Sequence, residues 1–145
     1  MYNSVIKPLS KIILIQFLLF LSSNVLAQKI HSEYKFEKEK SGYGFLNEVH
    51  WNYYELDSLV LFKNGTFYRN KIFRNNDIPF SEFKGDWKID DGILYLRITQ
   101  EKWSRNDENW AEVHKSYEYK IRRDKLKPHK GFQFYDDRTL KRIRK

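Results

Sequence analysis

From Gln28 onward the chain carries 42 apolar residues, of which 22 are Phe, Tyr or Trp, against a single alanine, Ala111. Rings and β-branched groups pack well on a pleated surface, whereas helices draw on Ala, Leu, Met and Glu, so this balance selects sheet over helix. The order of residues agrees with the inventory. Phe83-Lys84-Gly85-Asp86-Trp87-Lys88-Ile89 alternates apolar or small with charged at every step, and Val113 to Ile121 does nearly the same. A period of two puts one face of each run on a core and the other in water.

Turn signals separate these runs at short intervals. Lys63-Asn64-Gly65 joins Leu59 to Phe62 with Thr66 to Arg69, and an Asn-Gly pair between apolar runs is a strong hairpin signal. Asp90-Asp91-Gly92 predicts a second hairpin, which in regular register sets Trp87 opposite Tyr95. Asn75 to Pro79 marks a third connection; Arg123-Asp124 and Lys127-Pro128-His129 mark two further bends. With strands at Tyr34 to Phe36, Phe132 to Tyr135 and Leu140 to Ile143, about eight are available. The expected fold is therefore all-β, a single antiparallel meander able to close into a barrel or half-barrel. No internal repeat and no Pro-, Gly- or Ser-rich linker divides residues 28–145, which read as one domain. For residues 45–56 the spacing leaves helix and strand both open.

Residues 1–27 are different in kind. Lys7 and Lys11 precede an apolar stretch from Ile12 to Leu21, then Ser22, Ser23 and Asn24, then Val25-Leu26-Ala27. This is the pattern of a secretory signal peptide, with cleavage expected before Gln28. These ten residues, apolar except for Gln16, rise about 15 Å as a helix, half of a bilayer's hydrocarbon thickness, which argues against a retained anchor. The expectation is an exported protein, periplasmic or extracellular. With no cysteine in the chain, a disulfide scaffold, a thiolate metal site, a Cys nucleophile and a lipoprotein anchor are excluded.

Leu59 to Tyr68, followed by Gly85-Asp86-Trp87-Lys88-Ile89-Asp90-Asp91-Gly92-Ile93-Leu94-Tyr95-Leu96, resembles the small exported lipocalin-like domains of bacteria. Those domains show a strand, an Asn/Asp-Gly-Thr-Phe turn, then Gly-x-Trp, a turn and a Leu-x-Leu strand. Tyr117 to Ile121 and Leu140 to Ile143 fit their closing strands. The resemblance implies a barrel whose interior or mouth binds an apolar or amphipathic ligand. In true lipocalins Gly-x-Trp lies on the first strand, whereas Gly85-Asp86-Trp87 lies mid-chain, so no ligand-binding residue carries over.

Catalytic motifs are lacking. There is no Gly-x-Ser-x-Gly elbow, Gly-rich phosphate loop or Ser-x-x-Lys, and His31, His50, His114 and His129 show no metal-ligand spacing. Asp90-Asp91 and Asp136-Asp137 sit beside turn signals, where Asp is favoured for its local backbone hydrogen bonds. The expectation is a non-enzymatic binding module with no cofactor and no metal. Its candidate ligand contacts are Trp103, Arg105 and Trp110, in a polar connection of unusual length, and Trp51 in a second aromatic cluster.

Charge is polarised. Residues 28–112 hold 13 basic and 15 acidic side chains, whereas residues 113–145 hold 12 basic and 4 acidic. An alternative role follows, docking of a C-terminal flank of Lys120, Arg122, Arg123, Lys141, Arg142 and Arg144 on an anionic lipid, polymer or protein of the envelope. The leader argues against nucleic acid as the partner.

Overall fold

A computed structural model describes residues 29–43, 50–75, 80–103, 109–132 and 138–144, without the side chains of 75 and 144. The strands are β1 (Ile30–Tyr43), β2 (His50–Phe62), β3 (Thr66–Asn75), β4 (Phe80–Asp90), β5 (Ile93–Lys102), β6 (Ala111–Arg122), β7 (Lys125–Lys130) and β8 (Leu140–Arg144). Each pairs antiparallel with the next, and β8 pairs with β1, so the meander closes into an eight-stranded barrel. The architecture is compatible with a lipocalin-like fold.

The tight turns follow local chemistry. Gly65 takes φ +84°, the left-handed conformation that closes the β2–β3 turn, and Asn64 Oδ1 accepts from the Thr66 amide at 3.0 Å. Asp91 and Gly92 both take positive φ, as a two-residue hairpin loop requires. That loop pairs Asp90 with Ile93, which sets Trp87 opposite Leu96 and Lys88 opposite Tyr95. The expected Trp87–Tyr95 pair is thus one residue out of register. Instead Trp87 donates its indole N–H to the Phe62 carbonyl at 2.9 Å and lies 4.8 Å from the His31 ring.

The strands also bear on two further readings, one left open and one corrected. Residues 50–56 are strand, whereas 44–49 lie outside the described residues. Lys127-Pro128-His129 is not a bend but the middle of β7, whereas of the expected strand from Phe132 to Tyr135 residues 133–135 lie outside the described residues. Pro128 falls at a register shift opposite Tyr119, where the ladder is already irregular and its missing N–H costs little.

The β2–β3, β4–β5 and β6–β7 turns gather at one end of the barrel. There Leu59, Leu61, Leu94, Leu96, Leu126 and Leu140 are fully or almost fully buried, each worth roughly 1.5–3 kcal/mol of apolar transfer. Gly85 sits at a bulge between β4 and β5, where a Cβ would meet the Arg97 carbonyl oxygen at 1.8 Å. Only glycine lets the strands approach this closely. At the other end β1 and β2 run on as a two-stranded arm to Tyr43 and His50, past the last β2–β3 pair at Tyr53 and Asn75. The seam is thin: β8 meets β7 through Leu140 and Lys141, and β1 through Lys141, Arg142 and Arg144.

Candidate functional site

Inward positions alternate along every strand, so the residues of one parity on β2 and β3 share the barrel interior. On β2 this parity reads Glu55, Asp57, Leu59, Leu61, and on β3 it reads Phe67, Arg69, Lys71, Phe73. The lower members join the leucine core. Above them the interior turns polar on this side of the barrel.

Arg69 is fully buried and grips Asp57 in a two-point contact, Nε to Oδ1 at 2.8 Å and Nη2 to Oδ2 at 2.6 Å. Its guanidinium also lies 5.3 Å from the Tyr117 ring and 5.8 Å from the Tyr119 ring. Burial works against the charged guanidinium, but the carboxylate of Asp57 outweighs it and the Arg69 pKa is raised. Burial likewise raises that of Tyr119. Among the described residues, Arg69 Nη1 and the Tyr119 hydroxyl have no hydrogen-bond partner. One level higher, Glu55 accepts from Arg138 at 2.5 and 3.2 Å and from the Tyr53 hydroxyl. Lys71 lies opposite Asp57 on one side and Ser81 on the other. Burial, with repulsion from Arg69, lowers its ammonium pKa to about 8.

The facing wall is aromatic. Phe83 meets Trp103 edge to face at 6.4 Å, and Tyr117 stacks on Phe132 at 4.8 Å. Between the two walls is a cavity of about 890 Å³, lined by Glu55, Asp57 and Lys71 on one side and Phe83, Trp103 and Tyr117 on the other. It opens at the end of the barrel away from the tight turns. Its size falls in the range of small-molecule sites, and its two-sided lining suits a molecule with an apolar body and a polar edge.

The structure separates the four candidate contacts. Trp103 lines the cavity and is 59% exposed. Trp110 does not line it; its ring lies under Lys84 Nζ at 3.8 Å and Lys102 Nζ at 5.3 Å. Trp51 lies on the β1–β2 arm over Gly42, also away from the cavity. Arg105 lies outside the described residues, as do Asp136 and Asp137. Sequence reasoning missed Glu55, Asp57, Arg69 and Lys71. The signal for them was charge at positions sharing the parity of Leu59, Leu61 and Phe67.

The basic flank is only partly as expected. Lys120, Arg122, Arg123 and Lys141 present outward near the filled end, joined by Lys125 and Lys127. Arg142 instead turns toward the Tyr34 hydroxyl at 3.1 and 2.5 Å, so it serves the seam rather than the surface. The Arg144 side chain lies outside the described residues. Register sets Lys120 opposite Lys127, and Lys125 opposite both Arg122 and Lys141. Like charges in such pairs repel. Among the described residues none of these six outward cations forms an ion pair.

In comparisons with known proteins, no family model, no curated sequence and no solved structure matches the chain.

Proposed function

We propose that the protein is an exported, non-enzymatic binding module that holds a hydrophobic or amphipathic small molecule in the open end of its barrel. The observation that carries this reading is the cavity of about 890 Å³ between an aromatic wall and a charged one. A barrel serving only as a scaffold gains stability by filling such a space with side chains, since voids forfeit packing contacts. Export rests on residues 1–27, whose charged start, apolar middle and Val-Leu-Ala end suit a cleaved leader. Native mass spectrometry of protein purified from its own compartment tests the reading. The expected result is a chain starting at Gln28 with an added small-molecule mass that organic extraction removes. An apo mass, with no thermal shift across lipid and glycan panels, contradicts it.

A second reading has its own support in the outward cations of β6, β7 and β8. Their mutual repulsion is relieved when an anionic surface neutralises them. On this reading the filled end of the barrel docks on an anionic component of the envelope. Binding to anionic vesicles is expected to fall steeply between low and physiological salt, and salt-independent binding contradicts it.

A further inference from the structure

The outward cations of the filled end stand in register. Arg122 lies opposite Lys125, Lys125 opposite Lys141 and Lys141 opposite Lys35. Tyr34, Leu126 and Leu140 beside them point to the core and are buried, so alternation turns all four outward. They form one row across β6, β7, β8 and β1, with backbones roughly 4.8 Å apart from strand to strand. The Asp124 carbonyl accepts from the Arg142 amide at 2.7 Å, which ties the β6–β7 turn to β8 beside the row. Among the described residues Arg122, Lys125 and Lys141 make no ion pair, and Lys35 meets Glu37 on its own strand at 2.7 Å. Like charges set opposite one another oppose the pairing of strands, so the row costs the fold stability rather than adding it.

We infer that the partner of the basic end is a linear acidic polysaccharide, one anionic group per sugar unit, that lies across the strands along this row. This rests on the docking reading of the basic end and goes further by assigning the partner's shape and class. The wall of an eight-stranded barrel closes on itself, so a row crossing four of its strands turns through roughly a right angle. A planar bilayer touches such a convex wall along a strip, and the two ends of the row, Arg122 and Lys35, point away from it. A flexible chain follows the curve and meets every member.

Spacing selects among flexible chains. A sugar unit is close to one strand spacing in length, so successive carboxylates fall against successive cations, each in a charge-assisted hydrogen bond. A chain with a longer repeat, such as a nucleic acid backbone, falls out of step with the row. The second row, Lys120 opposite Lys127, lies two residues along the same strands and gives the chain a wider basic track. Exposed contacts of this kind are screened by salt and release counterions when they form, so affinity depends steeply on ionic strength.

The test is a calorimetric titration of the purified protein, without divalent cations, at about 50 and 200 mM salt. The probes are polygalacturonate, galacturonate monomer, vesicles of phosphatidylglycerol with phosphatidylcholine, and single-stranded oligodeoxythymidylate. Per anionic group, polygalacturonate is expected to bind most tightly, to weaken steeply with salt, and to outcompete the monomer entirely. Arg122→Gln, at one end of the row, is expected to weaken it about fivefold at the lower salt. The double variant Lys35→Gln with Glu37→Gln removes the other end without changing net charge, and a similar loss is expected. Lys40→Gln, on the arm, is expected to bind as the unaltered protein does. All these side chains point outward, and cooperative thermal unfolding confirms that each variant is folded. Loss at only one end of the row, vesicles bound at least as tightly as polygalacturonate, or tighter binding of the oligonucleotide each overturns the inference while the basic end remains a docking surface. Failure of every polyanion to bind overturns the docking reading together with the inference.

Discussion

Asp57 and Arg69 form an ion pair removed from water on every side, with side-chain exposures of 1% and 0%. Removing two charges from water costs several kcal/mol each, and their mutual attraction repays it only while both are present. Asp57→Asn leaves a buried guanidinium facing a neutral amide. The expected loss is about 3 to 5 kcal/mol in urea unfolding, with a smaller loss when both residues are made apolar together. A loss below about 1 kcal/mol for Asp57→Asn contradicts the buried pair. This pair was half legible in the sequence. Asp57 and Arg69 share the parity of Leu59 and Phe67, so their inward direction follows from alternation alone. Their partnership depends on the β2–β3 register, where Asp57 lies opposite Lys71 and reaches diagonally to Arg69.

At the scale of elements, what could be read was what the chain decides locally. The Asn64-Gly65 and Asp91-Gly92 turns and the strands they join depend on a few adjacent residues, and they stand where the sequence puts them. Trp87 was misplaced by one position because a two-residue loop shifts every pair in its hairpin by one, and the side chains with it. Lys127-Pro128-His129 was misread as a bend because β7, Lys125-Leu126-Lys127-Pro128-His129-Lys130, holds one buried apolar residue, Leu126, and owes its strand geometry to β6, whereas the Arg123-Asp124 turn stands where it was expected. The barrel closure joins the two ends of the chain: the Arg142 guanidinium reaches Tyr34, and Arg138 reaches Glu55. No local pattern encodes contacts of that separation. The short β7–β8 and β8–β1 ladders predict the lowest local stability in the barrel. In native-state hydrogen exchange, the Leu140 to Arg142 amides are expected to exchange well before those of Leu59 and Leu61. Equal protection of the two sets contradicts a weak seam.

Across the whole molecule the two candidate surfaces lie at opposite ends. The filled end carries the outward cations Lys120, Arg122, Arg123, Lys125, Lys127 and Lys141, and the open end carries the cavity. A barrel resting by its basic end on an anionic surface leaves its mouth free, so the two readings are compatible in one protein. The charge asymmetry was legible from composition, and Trp103 was legible as a mouth residue. The charged wall of the cavity was not, because it forms only when β2, β3 and the segment before β8 close around one space.

The central claim is that this space takes a ligand, and filling it is the most direct test. Ser81 lines the cavity opposite Lys71, so a tryptophan there projects its ring into the void. By calorimetry, dodecanoate is expected to bind the unaltered protein saturably with one molecule per chain, and Ser81→Trp is expected to abolish this while the variant still unfolds cooperatively. Binding that persists unchanged in a folded Ser81→Trp protein contradicts the account.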